Sequence, residues 1–488
     1  MQSTTTSVQT YDLVILGAGS GGYAAALRAA QLGQRVALIE QSKLGGTCLH
    51  EGCIPTKALL HTAEVADQVK DSAHVGIHAS LDSIDATAMR AYKDSIVKRL
   101  YTGLQGLVKS ANIDFISGRG RLLDSQTVVV DGQEIRGNNV ILATGSYAKS
   151  LPGLEFKDRV LSSTEAMNLE EVPGSVIVLG GGVIGVEFAS IWASLGSDVT
   201  IVEAADRLVP TEEPVISKTL GRAFRKRKIT ARTGSSVDSV TQDQDQVTVT
   251  LADGTSLQAD YLLVAIGRGP RSSDLGYEEA GITMERGFVT TDASLQTSLP
   301  GVYAVGDIVP GPQLAHRGFA HGIFVAEHIA GLDPEVVDDT GIPKVTYCNP
   351  EIASVGLTEA QAKERYGDVS SYEYNLGGNG KSQILGTAGL IKLIRQADGP
   401  IVGIHMIGAR VGEQVGEAQL IYNWEALPED VAGLIHAHPT QNEALGEAHL
   451  ALAGNPSMRT HNNCAAGCTK PARATRLPIP GRGDVENV

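Results

Sequence analysis

Two cysteines carry the first chemical signal in this chain. Cys48 and Cys53 lie in the segment Gly45-Gly46-Thr47-Cys48-Leu49-His50-Glu51-Gly52-Cys53-Ile54-Pro55-Thr56-Lys57, with four residues between them. A dithiol that close in sequence can shuttle two electrons by opening and closing a disulfide, provided the backbone lets the sulfurs meet. In a regular helix the two Cα atoms stand ~7.5 Å apart along the axis alone, so the oxidised form needs a broken or distorted turn. Gly45, Gly46 and Gly52 supply that freedom. Taken by itself the spacing also fits two buried structural thiols. Its position directly after a glycine-rich strand–turn–helix unit points to redox chemistry.

That unit is the first of a repeat. Asp12 to Leu16 reads as a buried strand, Gly17-Ala18-Gly19-Ser20-Gly21-Gly22 follows it and opens an alanine-rich helix to Leu32, and a second strand, Arg35 to Ile39, ends on Glu40. Such a turn lets the backbone approach a pyrophosphate, the helix N-terminus offers N–H donors, and the acid accepts from ribose hydroxyls. A lone glycine fingerprint is weak, but Val176 to Leu179 leads into Gly180-Gly181-Gly182-Val183-Ile184-Gly185, a helix to Leu195, a strand from Asp198 to Val202, and Glu203. Gly17 to Glu40 and Gly180 to Glu203 span the same register. Asp131-Gly132 and Asp253-Gly254 each precede a closing glycine, Gly145 or Gly267, by the same distance, and each reads as a hairpin turn between β-rich runs. Two dinucleotide-binding units follow.

Between Glu40 and Thr127 a helical insertion carries the cysteines, and Ile96, Leu100, Leu104 and Val108 recur at four-residue spacing as a core-packing stripe. From Ile342 the pattern becomes α+β, with strands expected at the start of 351–359, at Leu390 to Arg395 and at Ile401 to Met406, and a helix over Gly416 to Trp424. Beyond Gly454 the apolar period is lost and the chain is expected to be disordered. The expected organisation is therefore α/β: 1–150 and 151–275 as two Rossmann-like dinucleotide-binding domains, 276–341 as a central domain completing the first site, 342–454 as a C-terminal α+β domain, and 455–488 as a tail.

With 488 residues, 42% of them hydrophobic, the chain can bury several cores. Five cysteines in that length argue against a secreted disulfide framework. A net charge of -15 disfavours nucleic acid and anionic membrane partners. The polar first ten residues, without Lys or Arg, lead to a cytoplasmic expectation, and no apolar run reaches the length of a membrane span. Cys464 and Cys468 with His461 offer three candidate ligands, too few to close a structural zinc site, and no metal is expected.

The cysteine segment closely resembles the redox-active segment of the pyridine nucleotide-disulfide oxidoreductases, and the resemblance extends from Tyr11 to about Ala453. It implies FAD, one per subunit, as a tightly held cofactor, NAD as cosubstrate, a homodimer built through the C-terminal domain, and an enzyme with a redox-active disulfide. Thr297 to Asp307 is similar to the family's second flavin segment, and Leu314-Ala315-His316 to the stretch whose backbone approaches the flavin, which leaves His316 incidental. The resemblance assigns Gly17, Gly19, Gly22, Glu40, Thr47, Lys57, Gly120, Thr144, Gly145, Asp307 and Ala315 to FAD. To NAD it assigns Gly180, Gly182, Ile184, Gly185, Glu203, Val237 and Gly267.

By the same resemblance Cys48 is the interchange thiol and Cys53 the thiol against the flavin, while Lys57 is the lysine near flavin N5 with Glu187 as its ion-pair partner. His438-Pro439-Thr440, with Glu443, resembles the acid–base dyad. Thiol–disulfide exchange needs such a base, because thiolate is the nucleophile. His436 is expected to be a surface or capping histidine, and Cys348 a small buried strand residue. Val183 to Ala189, Ile401 to Gly408, the glutamates 413 and 417, and His436 to Thr440 look most like the branch that oxidises dihydrolipoamide on the lipoyl domains of 2-oxoacid dehydrogenase complexes. The alternatives are a reductase of mercuric ion or of a glutathione-like disulfide, or a binding component that holds FAD without turnover.

Overall fold

The computed structural model describes residues 9–454. The tail, with His461, Cys464 and Cys468 and the disorder expected there, lies outside them. Three sheets organise the described chain. In the first, the strand Gln9–Leu16 has Val36–Glu40 on one side and Gln133–Leu142 on the other, all parallel. Asp114–Ser117 extends one edge. The other edge turns antiparallel through Thr127–Val130 and Gly120–Asp124. Val302–Ala304, about 160 residues on, pairs parallel with Gln133–Leu142. Leu13 to Leu16, Val36 to Ile39 and Val140 to Leu142 are continuously apolar and buried because both faces of the sheet are covered there, as a parallel sheet requires.

The second sheet repeats the design. Thr230–Arg232, Asp198–Val202, Ser175–Leu179, Tyr261–Val264 and Val160–Leu161 run parallel in that order. A small antiparallel sheet of Val237–Gln242, Val247–Leu251 and Ser256–Ala259 accompanies it. The repeated hairpins differ in detail. Asp131 and Gly132 both adopt positive φ and close a two-residue turn between Thr127–Val130 and Gln133–Leu142. At Asp253-Gly254 only the glycine does, and the connection takes four residues.

The third sheet is antiparallel, in the order Lys344–Thr346, Glu351–Gly356, Ile401–Gly408, Leu390–Gln396, Val369–Asn375. The helix expected from Gly416 begins earlier, as Val411–Asn423, with Arg410 in the left-handed conformation before it. A buried ionic seam ties this sheet to the second unit: Lys392 Nζ donates to Glu213 at 2.8 Å and reaches Glu359 at 2.7 Å. Cys348 is buried as expected but sits in the turn after Lys344–Thr346, where its thiol donates to the Pro350 carbonyl.

The insertion forms two long helices, Cys53–Asp71 and Ala86–Ser110. The stripe on the second is only half a core. Leu104 and Val108 are buried, but Leu100 is 45% exposed. A four-residue step advances about 40° beyond a full turn, so four such positions cannot stay on one face.

Candidate redox site and nucleotide grooves

The backbone break that the cysteines require is present. Gly45 and Gly46 take positive φ and start a short helix, Gly46–His50, that carries Cys48. Glu51 and Gly52 leave helical geometry, and Cys53 opens the Cys53–Asp71 helix. The two thiols therefore stand on separate helices facing each other across the break, and Cys48 donates a hydrogen bond to Cys53. That bond sets their chemistry. The hydrogen bond given to Cys53, and then burial, push the Cys48 thiol far up. The Cys53 thiol is held down to about 7 by the bond from Cys48, against burial and with the help of Lys57. Negative charge on the pair thus belongs on Cys53.

Lys57 lies one turn further along the same helix. Its ammonium donates to both carboxylate oxygens of Glu187, at 2.9 and 2.8 Å, from the helix Val183–Leu195 of the second unit. Burial opposes the charge, but Glu187 prevails and raises the lysine above its ordinary value.

Both cysteines, Lys57 and Glu187 line a cavity of about 730 Å³. Gly19, Glu40, Thr47, Thr144, Gly145, Ile184, Asp307 and Ala315 line it too. A second cavity, of about 280 Å³, is lined by Gly17, Glu40, Gly118, Gly120, Thr144 and Arg271. Glu40, Thr144 and Arg271 belong to both, so a long ligand can run from one into the other. Asp307 accepts from the Ser146 hydroxyl at 2.5 Å.

The glycines show why the cavity is shaped for a dinucleotide. A Cβ on Gly22 would sit 1.8 Å from the Gly17 carbonyl oxygen, and one on Gly17 would meet Ala143. Those two glycines let the helix and turn close. Gly19, at the N-cap of Ser20–Gln31, has nothing within 4 Å, and no side chain caps that helix. Open space over uncapped N–H groups is what a pyrophosphate fills. The second unit matches it: Gly185 packs on the Gly180 carbonyl at 1.9 Å, while Gly182 and Gly267 face open space.

The repeat extends to single hydrogen bonds. Glu40 accepts from the backbone N–H of Ala18 and Ser42, and Glu203 from those of Gly181 and Ala205. Arg207 is spent on its own loop, donating to the carbonyls of Pro210 and Glu212. Val237 packs against the apolar cluster of the second unit. FAD fits the first set of residues and NAD(H) the second.

Two cavity residues escaped the sequence reading. Arg268 donates to the side chain and carbonyl of Ser146 and lies where burial, partly offset by Asp307, lowers its pKa. Its place directly after Gly267 was the available signal. Tyr347, from the start of the third sheet, had none.

His438 and Glu443 meet, Nδ1 to Oε2 at 2.7 Å, on a surface where the His438 side chain is 71% exposed. Neither lines the cysteine cavity of its own chain. His436 is not a surface residue: it is largely buried and paired with Glu417 at 2.8 Å. A nearby carboxylate, donated by the helix Val411–Asn423, was the missed reason. His316 contacts the Pro343 carbonyl.

Known proteins share this arrangement. Residues 11–322 match the model described as pyridine nucleotide-disulphide oxidoreductase, and residues 342–449 match the dimerisation domain of the same family. The chain therefore assembles as a homodimer. A dihydrolipoyl dehydrogenase of Bacillus subtilis (strain 168) is 41% identical over 465 residues, covering 91% of this chain and 98% of the relative. One from Geobacillus stearothermophilus is 40% identical over 92% and 97% of the two chains. Among solved structures, LpdA from Mycobacterium tuberculosis superposes with a TM-score of 0.85 at 25% identity, over 91% of this chain and all of that one. The paired cysteines, the doubled nucleotide unit and two matched models covering most of its length leave one conclusion: the chain belongs to the pyridine nucleotide-disulphide oxidoreductase family.

Proposed function

We propose that the chain works as a dihydrolipoyl dehydrogenase, oxidising dihydrolipoamide carried on the lipoyl domains of 2-oxoacid dehydrogenase complexes and reducing NAD+. The observation that carries this reading is the Cys48–Cys53 pair, hydrogen-bonded across a helix break beside the Lys57–Glu187 ion pair in a cavity shaped for FAD. Relatives about 40% identical along nine-tenths of the chain bear that name. Cytoplasmic residence accords with the sparse cysteines, five in 488 residues. Among the described residues no helix is long and apolar enough to cross a membrane.

The exchange begins with Cys48 and Cys53 joined as a disulfide. A substrate thiol gives its proton to His438, whose ring is oriented by Glu443, and the thiolate attacks the Cys48 sulfur. The S–S bond breaks, and its electron pair stays on Cys53, the sulfur whose anion the surroundings favour. The second substrate thiol then attacks its partner sulfur in the mixed disulfide, and its proton passes to the departing Cys48 sulfur. Lipoamide leaves, with one proton on Cys48 and the first still on His438. Two electrons now rest on the dithiol. FAD held in the cavity lined by Gly19, Thr47 and Asp307 would supply a two-electron acceptor for the dithiol and a hydride donor for NAD+. Lys57 places a cation, and the uncapped helices and Asp307 supply positioning.

Steady-state assays decide between substrates. Dihydrolipoamide with NAD+ should turn over, and glutathione disulfide and mercuric ion should be poor acceptors from NADH. Turnover on either of those, without dihydrolipoamide oxidation, would reassign the chain to another disulfide reductase, the class of its structural neighbour RclA from Escherichia coli, which superposes with a TM-score of 0.83 at 29% identity over 91% of this chain and all of that one.

A further inference from the structure

The Lys57–Glu187 pair has a third member that arrives from the third sheet. The Tyr347 ring lies under the lysine ammonium, 4.7 Å from Nζ to the ring centroid. Its backbone N–H donates to Glu187 Oε1 at 2.9 Å. One residue thus holds both partners at once, the cation by its π face and the anion by its main chain. Glu187 is buried and can accept from few donors, so each of these contacts restricts where the carboxylate, and with it the ammonium, can sit. Tyr347 also lines the cavity, with 39% of its surface exposed.

We propose that Tyr347 is a positioning residue for the redox pair: its ring fixes the Lys57 ammonium at the distance from Cys53 that favours the Cys53 thiolate. The ring, not the hydroxyl, performs this task, because the cation faces the π surface. Other groups feel the same thiolate. Cys48 and Glu187 act on it directly, and Tyr23 and Arg268 experience its charge. Tyr347 differs from them in acting through the lysine. Tyr347 lies within residues 342–449, which match the dimerisation domain, so this contact joins that domain to the redox site.

The proposal rests on reading Cys48 and Cys53 as the redox pair, yet its test does not pass through dihydrolipoamide, so a wrong substrate would leave it standing. In a Cys48→Ser background with FAD bound, the rate of Cys53 alkylation by iodoacetamide is followed from pH 5 to 9. Tyr347→Phe should reproduce the parent profile. Tyr347→Leu should shift the midpoint upward and slow alkylation at pH 7 by roughly three- to tenfold. Flavin content and melting temperature are recorded alongside. If Tyr347→Leu fails to retain FAD, Tyr347→Met provides the same test. An aliphatic variant with the parent profile, or a Phe variant shifted as far as the aliphatic one, would overturn the assignment.

Discussion

A thiol pair in a polar cavity would ordinarily ionise without preference, and here the local contacts remove the symmetry. Cys48 keeps its proton because it donates it to Cys53, and Cys53 carries the charge because it receives that proton's hydrogen bond and faces Lys57. Reduced enzyme should therefore lose its first thiol proton near pH 7, with the thiolate present above that value and lost below it. Replacing Lys57 by Met removes the cation and leaves the Glu187 carboxylate uncompensated, so both changes push Cys53 upward, by about one to three pH units. A Lys57→Met profile of alkylation against pH that coincides with the parent would contradict this account. Glu203 sets the other residue-level preference. Its carboxylate already sits at the end of the second unit's strand, and Arg207, the nearest cation in sequence, is engaged by Pro210 and Glu212. A 2′-phosphate would meet an anion there. The ratio of kcat/KM for NAD+ over NADP+ should be on the order of 10² or more. Comparable efficiency with both nucleotides would show that Arg207 leaves its loop to receive the phosphate.

At the scale of elements, strand–turn–helix units bring the glycines into register, and those glycines divide into packing and docking positions. Gly22→Ala places a methyl 1.8 Å from a backbone oxygen, a contact that no side-chain motion relieves, so the first helix must move away from its turn. The expected result is loss of FAD with NAD affinity of the protein retained. Gly185→Ala, at 1.9 Å from Gly180, should do the reverse, keeping the yellow flavin and raising the KM for NAD+. Flavin absorbance of the purified variants and NADH titration separate the two. The doubled unit was legible in sequence because its spacing is dictated by local geometry: a strand, a tight turn and a helix of fixed rise leave the acid at one distance from the first glycine. The cysteine segment was legible for the same reason, since a disulfide across a helix demands a break and glycines mark it. What escaped depended on partners distant in the chain. Tyr347 reaches Lys57 across almost three hundred residues, and His436 is drawn inward between Glu417 of one helix and Gly446 of another. The four-residue stripe misled because Leu100 rotates off the face that Leu104 and Val108 bury.

The whole molecule must reconcile two facts about its acid–base chemistry. The disulfide needs a base, and the dyad proposed for that role, His438 with Glu443, is preassembled at 2.7 Å but lies on an exposed face outside the cysteine cavity of its own chain. A homodimer resolves this if each C-terminal domain delivers its histidine to the cavity of the other subunit, and the 71% exposure of His438 in the single chain is then the surface on which the partner docks. A site shared in this way makes a quantitative prediction. His438→Gln should slow turnover by about 10²- to 10⁴-fold while FAD stays bound. Cys53→Ser should abolish dihydrolipoamide oxidation. A mixed dimer with one chain of each kind contains one site that lacks both groups and one that lacks neither, so the purified mixed dimer should carry about half of the parent activity although each variant alone is inactive. Purifying the mixed dimer through a different tag on each chain makes the measurement clean. Activity no higher than that of the separate variants would place the histidine with its own subunit's disulfide, or remove it from the chemistry altogether.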